Sequence, residues 1–155
     1  MDSLNVNHMP DLLVRERRTC LKPFRQREFV DMSREFSKHG GMMTTDELVS
    51  SMGSCKLRAV STIARWVDER LAIHVVWRGS AYFPSFQFGG NPMSIRQPVE
   101  EALHALRGAF NDWEVALWFV SANSWLGHRS PVDAIDLDGA SVVHAAQADR
   151  FIALG

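Results

Sequence analysis

The side chains of this chain that are chemically able to catalyse a reaction do not form a recognisable catalytic motif. Its six histidines show neither His-x-x-x-His nor His-Glu-x-x-His spacing, so the sequence predicts no metal site and no cofactor. Ser130 lies close to His128, but it lacks a Gly-x-Ser-x-Gly turn, and Pro131 after it indicates a helix N-cap instead. Cys20 and Cys55 stand alone, without Cys-x-x-Cys spacing or an activating neighbour. We therefore expect a protein that is not an enzyme.

Length and composition indicate one ordinary folded domain or two small ones. The chain has 155 residues, of which 46% are hydrophobic and 23% are charged, as in globular proteins. No apolar run approaches the roughly 20 residues of a membrane span. The N-terminus lacks the charged and apolar regions of a signal peptide. With its two isolated cysteines interpreted as reduced thiols, the sequence predicts a cytoplasmic protein without a membrane partner.

Charge is unevenly distributed along the chain, although the net charge is only −1. Residues 1–80 carry thirteen Lys and Arg against ten Asp and Glu, a balance of +3, whereas residues 81–155 carry four against eight, a balance of −4. Much of the positive charge falls in a segment, 11–38, that is expected to be helical with a break near Pro23. Taken alone, such a charge run is more typical of a solvated helical arm, and a first part of the chain that faces phosphate is the alternative interpretation.

Residues 42–88 follow the order of a winged helix-turn-helix, which is a DNA-binding fold. Thr44 and Glu47 predict a capping box at the start of a short helix that Gly53 ends. A second helix is expected over 57–70. Two strands of a hairpin follow: 72–77 and 81–84, joined by a turn at 78–80.

The second helix is expected to be amphipathic. Its predicted core stripe, with Trp66 at the border, is Val60, Ile63, Ala64, Val67 and Leu71. The opposite face and the hairpin tip supply candidate DNA contacts, namely Arg58, Ser61, Thr62, Arg65 and Arg78. Asp68 and Glu69 would repel phosphate if they faced it, so a degenerate helix-turn-helix that docks protein is the alternative.

Residues 112–137 couple an apolar helix to a tight turn and a capped helix start. The predicted stripe of the first helix is Trp113, Ala116, Leu117 and Val120, with Trp118 and Phe119 pointing elsewhere. Ser130 and Pro131 predict an N-cap, and Asp138-Gly139 predicts a turn before the final helix. Taken alone, these residues also fit a compact helical hairpin whose tryptophans are core.

This segment resembles the toxin-binding domain at the C-terminus of Xre/MbcA/ParS-type antitoxins. The resemblance covers residues 96–155, and the matching run is Trp118, Asn123, Leu126, Gly127, Pro131 and Asp133, followed by a small-residue helix at 139–150. Residues 71–88 also resemble the wing of MerR/excisionase-like members, through Tyr82, Pro84, Phe86, Gln87 and Phe88. The chain departs from the family pattern at Phe119-Val120, where a Trp-Leu pair is common, and at Trp125 before the turn.

The resemblance implies a dimeric type II antitoxin that represses its own operon and neutralises a cognate toxin, commonly a RES-domain enzyme that consumes NAD. The toxin contacts that it implies are Trp118, Asn123, Trp125, Leu126, Gly127, His128 and Arg129, with the tail 149–155. The alternatives are an excisionase-like DNA-binding regulator whose C-terminal domain only dimerises, and an interaction module with a vestigial helix-turn-helix.

The expected fold class is mainly α with a small β-hairpin wing. In this interpretation a winged helix-turn-helix precedes a C-terminal helical toxin-binding domain. The predicted divisions are a basic helical arm at 1–41, the winged helix-turn-helix at 42–88, a linker at 89–98 and the toxin-binding domain at 99–155.

Overall fold

A computed structural model describes residues 25–53 and 55–155 of the chain. The predictions for Pro23, Cys20 and the basic residues before 25 lie outside the described residues. Met32–Gly155 forms one compact unit, and residues 25–31 are assigned to another. The helices, in chain order, are α1 (25–37), α2 (Thr45–Ser51), α3 (Lys56–Asp68), α4 (Gln97–Leu106), α5 (Asp112–Val120), α6 (Pro131–Ala134) and α7 (Gly139–Leu154). The strands are β1 (Met42–Thr44), β2 (Val75–Trp77), β3 (Ser80–Pro84), β4 (Phe88–Gly89) and β5 (Ser94–Ile95).

The described residues are mainly helical, with small antiparallel sheets. One sheet has the strand order β1-β3-β2, in which Thr44 and Val75 both pair with Tyr82. The predicted hairpin is confirmed, but its first strand begins at Val75 instead of 72, and its turn is shorter than expected because Ser80 already pairs with Trp77. Arg78 and Gly79 form the two-residue turn with φ of 50° and 80°, the positive values that a type I′ hairpin requires at both positions. The sequence did not predict β1.

Several helix starts are confirmed as side-chain caps. The Thr44 hydroxyl accepts from the Glu47 amide at 3.3 Å, and a Glu47 carboxylate oxygen accepts from the Thr44 amide at 2.8 Å, which completes the predicted capping box. Ser130 caps α6, and Asp138 caps α7. Each cap satisfies backbone N–H groups that have no partner inside the helix. The sequence therefore determines these helix starts locally.

The predicted core stripe of α3 is wrong in part. Ile63 is buried as expected, but Val60 and Ala64 are exposed, and the buried positions beside Ile63 are Ala59 and Trp66. Trp66 stacks on Phe88 with 5.5 Å between ring centroids. An indole removes roughly 150–250 Å² from water, far more than the Ala64 methyl group does, so burial of Trp66 sets the rotation of the helix.

Residues after β3 tie the sheet to the helices. The Gln87 side chain is fully buried: its Nε2 donates to the carbonyls of Ile73 and Pro84, both at 2.9 Å, and its Oε1 accepts from the Ile73 amide at 2.6 Å. The Phe86 ring lies between those of Phe36 and Phe119, at 5.8 and 5.6 Å. Phe86 and Gln87 therefore hold the sheet and the helices together.

The segment predicted as a linker, 89–98, is ordered structure. It holds β5, which pairs with β4, and the start of α4. Met93 and Ile95 pack against the cluster that contains Ile63 and Trp66. The division of Met32–Gly155 into smaller domains stays a prediction.

The C-terminal helices pack closely. A Cβ built on Gly139, at the start of α7, would lie 2.9 Å from the Pro98 ring of α4, so only glycine fits there without a shift. The predicted stripe of α5 is also wrong in part, because Val115, Ala116 and Phe119 are the buried residues. No helix in the described part of the chain has both the length and the apolarity needed to cross a membrane.

Candidate nucleic-acid and partner interfaces

The outward side of α3, which we call the α3 outer face, carries the predicted DNA contacts. It comprises the exposed residues Leu57, Arg58, Val60, Ser61, Ala64 and Arg65. Neither Arg58 nor Arg65 forms an ion pair with any residue in 25–53 or 55–155. Thr62 is placed differently from the prediction: it is half-buried, and its hydroxyl donates to the Arg58 carbonyl at 2.9 Å.

Charge along α3 is segregated towards one end. Lys56, Arg58 and Arg65 are its cations, and no acidic residue occurs between 55 and 67. The acidic residues Asp68 and Glu69, which were expected to weaken DNA binding, lie at the C-terminal end of the helix. The N-terminal half of α3 is therefore positively charged, and the helix dipole adds to this charge.

The α3 outer face also presents apolar side chains that the sequence analysis missed. Leu57 is 81% exposed and Val60 is 45% exposed. The sequence analysis places Val60 in the core because it lies three residues before Ile63, a spacing typical of one face of a helix. Burial of Trp66 instead turns Val60 towards solvent.

Arg78 lies at the exposed tip of the β2–β3 hairpin. Its guanidinium carbon is 5.5 Å from the centre of the Trp77 ring, which is within cation–π distance. Trp77 in turn contacts Trp113 of α5, with 6.2 Å between ring centroids. Trp77 and Trp113 therefore connect Arg78 at the hairpin tip to α5.

A polar contact fixes the end of α3 against α5. Arg70 adopts a left-handed φ of 54°. Its Nε donates to Asp112 Oδ1 at 2.9 Å and its Nη2 donates to the Phe110 carbonyl at 2.7 Å. Buried His74 lies 3.7 Å from the second oxygen of Asp112. The chain just after α3 is thus held against the start of α5.

A second candidate site centres on one carboxylate, which we call the Asp149 cluster: Asp149, Trp118, Asn123 and Trp125. Asp149 Oδ2 accepts from Trp118 Nε1 at 2.7 Å and from Asn123 Nδ2 at 2.8 Å. Asp149 Oδ1 accepts from Trp125 Nε1 at 3.0 Å. The carboxylate thus joins α5, the turn after it and α7.

The turn at 123–130 is held by backbone hydrogen bonds. The Asn123 amide donates to the Arg129 carbonyl at 3.0 Å, and the Asn123 carbonyl accepts from His128 at 2.9 Å. Gly127 and His128 have φ of 64° and 65°. Left-handed φ is natural for Gly127 and uncommon for His128. These hydrogen bonds and the two left-handed residues therefore define the conformation of the turn.

The predicted toxin contacts divide into buried and exposed residues. Asn123 and Leu126 are buried, so their side chains stabilise the turn. Trp118 is half-buried beside Asp149. The exposed ones are Trp125, Gly127, His128 and Arg129. A binding surface in this region therefore has Trp125, 58% exposed, as its large apolar side chain.

The end of α7 is also apolar and exposed. Phe151, Ile152 and Leu154 expose more than half of their side chains, with Phe151 at 78%. They belong to the tail, 149–155, that the resemblance assigned to toxin binding. Large apolar residues exposed together within one helical turn indicate a binding surface more often than isolated ones do.

One side-chain contact links the loop after α1 to α6 and was not predicted. The loop residue His39, just after α1, has its Nε2 2.8 Å from Asp133 Oδ1. The Ser130 hydroxyl and then the nearby His39 hold the pKa of Asp133 below its ordinary value of 3.8. The sequence analysis names Asp133 only in the antitoxin-like run, and the contact could not be predicted because His39 is 94 residues away.

Comparisons with protein-family models, with curated proteins and with solved structures found no match to this chain. The likeness to antitoxins described above therefore stays a hypothesis that is based on residues of this sequence.

Proposed function

We propose that this chain is a DNA-binding antitoxin that represses its own operon and neutralises a cognate protein toxin. The observation that carries the DNA-binding half is the element order α1-β1-α2-α3-β2-β3 with β1 paired to β3. This order fits a winged helix-turn-helix, in which α2 and α3 form the helix-turn-helix and the β2–β3 hairpin forms the wing.

The charge of the α3 outer face supports DNA as its ligand. In a helix-turn-helix, the N-terminal residues of the second helix contact base edges. Here that end carries Lys56 and Arg58, and Arg65 lies seven residues after Arg58 on the same side. Arg78 at the wing tip would contact the backbone beside it. Lys and Arg supply the phosphate contacts that dominate affinity for DNA.

DNA binding is tested with the full chain on its upstream operator in a gel-shift titration at several salt concentrations. We expect Arg58→Ala with Arg65→Ala to remove the salt-sensitive complex, because two phosphate or base contacts are lost. Arg150→Ala on α7 is the matched control, since it removes one exposed arginine outside α3. Unchanged binding by the double variant would refute the assignment of the α3 outer face.

The Asp149 cluster supports protein binding by the C-terminal half. Trp125 is exposed yet held by a hydrogen bond to Asp149, and exposed Ile152 lies about one turn after Asp149 on α7. Rigid exposed tryptophans are frequent centres of protein–protein interfaces. A RES-domain toxin is the partner that the resemblance suggests, and in that case this chain would itself bind no NAD.

Partner binding is tested by affinity capture of the tagged chain expressed with its flanking genes, followed by mass spectrometry. We expect a stoichiometric product of the adjacent gene, and we expect Trp125→Ser to lose it. Leu137→Ser is the matched control, because Leu137 is 76% exposed and lies between α6 and α7, away from the Asp149 hydrogen bonds. Capture that survives Trp125→Ser would remove Trp125 from the interface.

A DNA-binding regulator whose C-terminal helices only dimerise is the second candidate. The exposed residues Phe151, Ile152 and Leu154 favour it as well, because a second copy would bury them. Analytical ultracentrifugation of Phe151→Ser separates the two functions. Loss of a dimer, together with no captured partner from the flanking genes, would favour the regulator.

A further inference from the structure

We infer that α3 distinguishes A·T base pairs by packing Leu57 and Val60 against thymine methyl groups. This inference rests on the proposed DNA binding and adds how the sequence of the DNA would be read. The observation behind it is that two apolar side chains stand exposed at the start of α3, 81% and 45% accessible, among its cations.

The positions of these residues suit a helix that enters a major groove end-on. Leu57 is the second residue of α3, Val60 is in the next turn, and Ala64 lies two turns beyond Leu57. At 100° per residue, Leu57 and Ala64 are about 20° apart around the helix, and Val60 is about 60° from Leu57. The three side chains therefore share one face, and the small Ala64 allows close approach along it.

The surrounding charge favours a polyanion as the occupant of this face. Lys56, Arg58 and Arg65 lie beside Leu57 and Val60, and the one acid of α3 is exposed Asp68 at its C-terminal end, about 20° from Leu57 around the helix. The face therefore carries three cations and one acid. A second copy of the chain, packed symmetrically on this face, would bring like charges together. A DNA duplex supplies the opposite charge, because its phosphates line both edges of the major groove.

Thymine supplies the apolar partner. The C5-methyl group of thymine is the apolar feature that the major groove presents, and aliphatic side chains contact it in known readout patterns. Ser61 on the same face has a hydroxyl that can donate to or accept from a neighbouring base edge. Leu57 and Val60 would thus select thymine, while Arg58 and Arg65 would bind phosphate or guanine.

The test removes the methyl group from the DNA without changing its hydrogen bonds. The full-length protein first selects its preferred duplexes from a random 20-base-pair library at moderate salt. Each thymine of the best duplex is then replaced in turn by deoxyuridine, and the dissociation constants are measured. Losing one buried methyl group is expected to weaken binding about 3–5-fold at one or two positions, with little effect elsewhere.

Leu57→Ala provides the second arm of a double-mutant cycle. If Leu57 contacts a thymine methyl group, the variant binds the thymine and deoxyuridine duplexes equally at that position. Leu57 is exposed, so circular dichroism is expected to show an intact fold. Leu137→Ala, another exposed leucine, is expected to retain the full thymine preference.

The contrary outcomes separate this inference from the proposed function. Salt-sensitive binding that is indifferent to every deoxyuridine replacement would overturn methyl readout and leave DNA binding intact. No salt-sensitive binding to any duplex of the library would overturn both. If Leu57→Ala instead changes the oligomeric state of the protein without DNA, and leaves the thymine preference unchanged, this face joins two copies of the chain.

Discussion

Replacement of Asp149 tests whether one carboxylate organises the C-terminal site. Its side chain accepts hydrogen bonds from two indoles and one amide, with lengths of 2.7, 2.8 and 3.0 Å. The donors come from α5 and from the turn after it, 24–31 residues away in the chain. Removal of the carboxylate therefore releases two separate segments from α7.

The size of the effect follows from burial of the donors. A hydrogen bond to a charged group contributes roughly 1.5–3 kcal/mol to the free energy of unfolding, and a buried donor left unpaired costs about 1–3 kcal/mol. Trp118 is half-buried and Asn123 is buried, whereas exposed Trp125 can bond to water. Since bonds to one acceptor are not additive, we expect Asp149→Ala to lower the unfolding free energy by about 2–4 kcal/mol.

Asp149→Asn tests separately the hydrogen bonds made by the two carboxylate oxygens. An amide keeps one oxygen, which can still accept from Trp118 and Asn123, but its NH₂ group faces the Trp125 donor. We expect a loss of only about 1 kcal/mol in unfolding free energy. Because Trp125 is then released while the fold is kept, the same variant is expected to weaken capture of the partner.

Urea unfolding, followed by far-UV circular dichroism and by tryptophan fluorescence, measures both variants. Arg150→Ala is the control, since this exposed neighbour on α7 is expected to change the unfolding free energy by less than about 0.5 kcal/mol. If Asp149→Ala unfolds at the urea midpoint of the wild type, the cluster does not stabilise the site. Equal losses for Ala and Asn would contradict the division of roles between the two oxygens.

Two further predictions concern the packing of α7 and the acid end of the stability curve. Gly139→Ala is expected to lower the unfolding free energy by about 1–3 kcal/mol, because its Cβ would lie 2.9 Å from the Pro98 ring. Ala140→Ser serves as the control. An unchanged melting temperature for Gly139→Ala would show that α4 and α7 can move apart without loss of stability. The pKa of Asp133 is lowered by Ser130 and then His39, so its contribution to stability is present above its unfolded-state pKa and is lost as the pH falls through the folded-state pKa. We therefore expect Asp133→Asn to flatten the fall in melting temperature as the pH is lowered below about 5; parallel curves for variant and wild type would contradict this linkage.

Local signals in the sequence predicted the helix starts well. A capping box depends on residues three apart, so Thr44 with Glu47 could be identified without any tertiary information. Pro131 after Ser130 is equally local. A second capping box, between Asn111 and Glu114, has the same spacing and could have been found in the same way.

The faces of α3 and α5 could not be predicted from periodicity alone. Both helices carry apolar residues on several sides, so more than one stripe satisfies helical spacing. The choice is made by distant rings, since Phe88 stacks on Trp66 and Phe86 packs against Phe119. For the same reason exposed Val60 was misplaced in the core.

The hydrogen bonds of the Asp149 cluster distinguish Trp125 from the other exposed apolar residues. Binding costs about 0.5–1.5 kcal/mol for each mobile side chain that becomes immobilised. Trp125 is already held by Asp149 through its ring N–H, and its backbone amide donates to buried Asn123 at 2.9 Å. The amide bond to Asn123 is the N-cap of the turn, whereas the ring bond to Asp149 fixes the orientation of the indole. If Trp125 contacts the proposed partner, this fixed orientation lowers the cost of immobilising it.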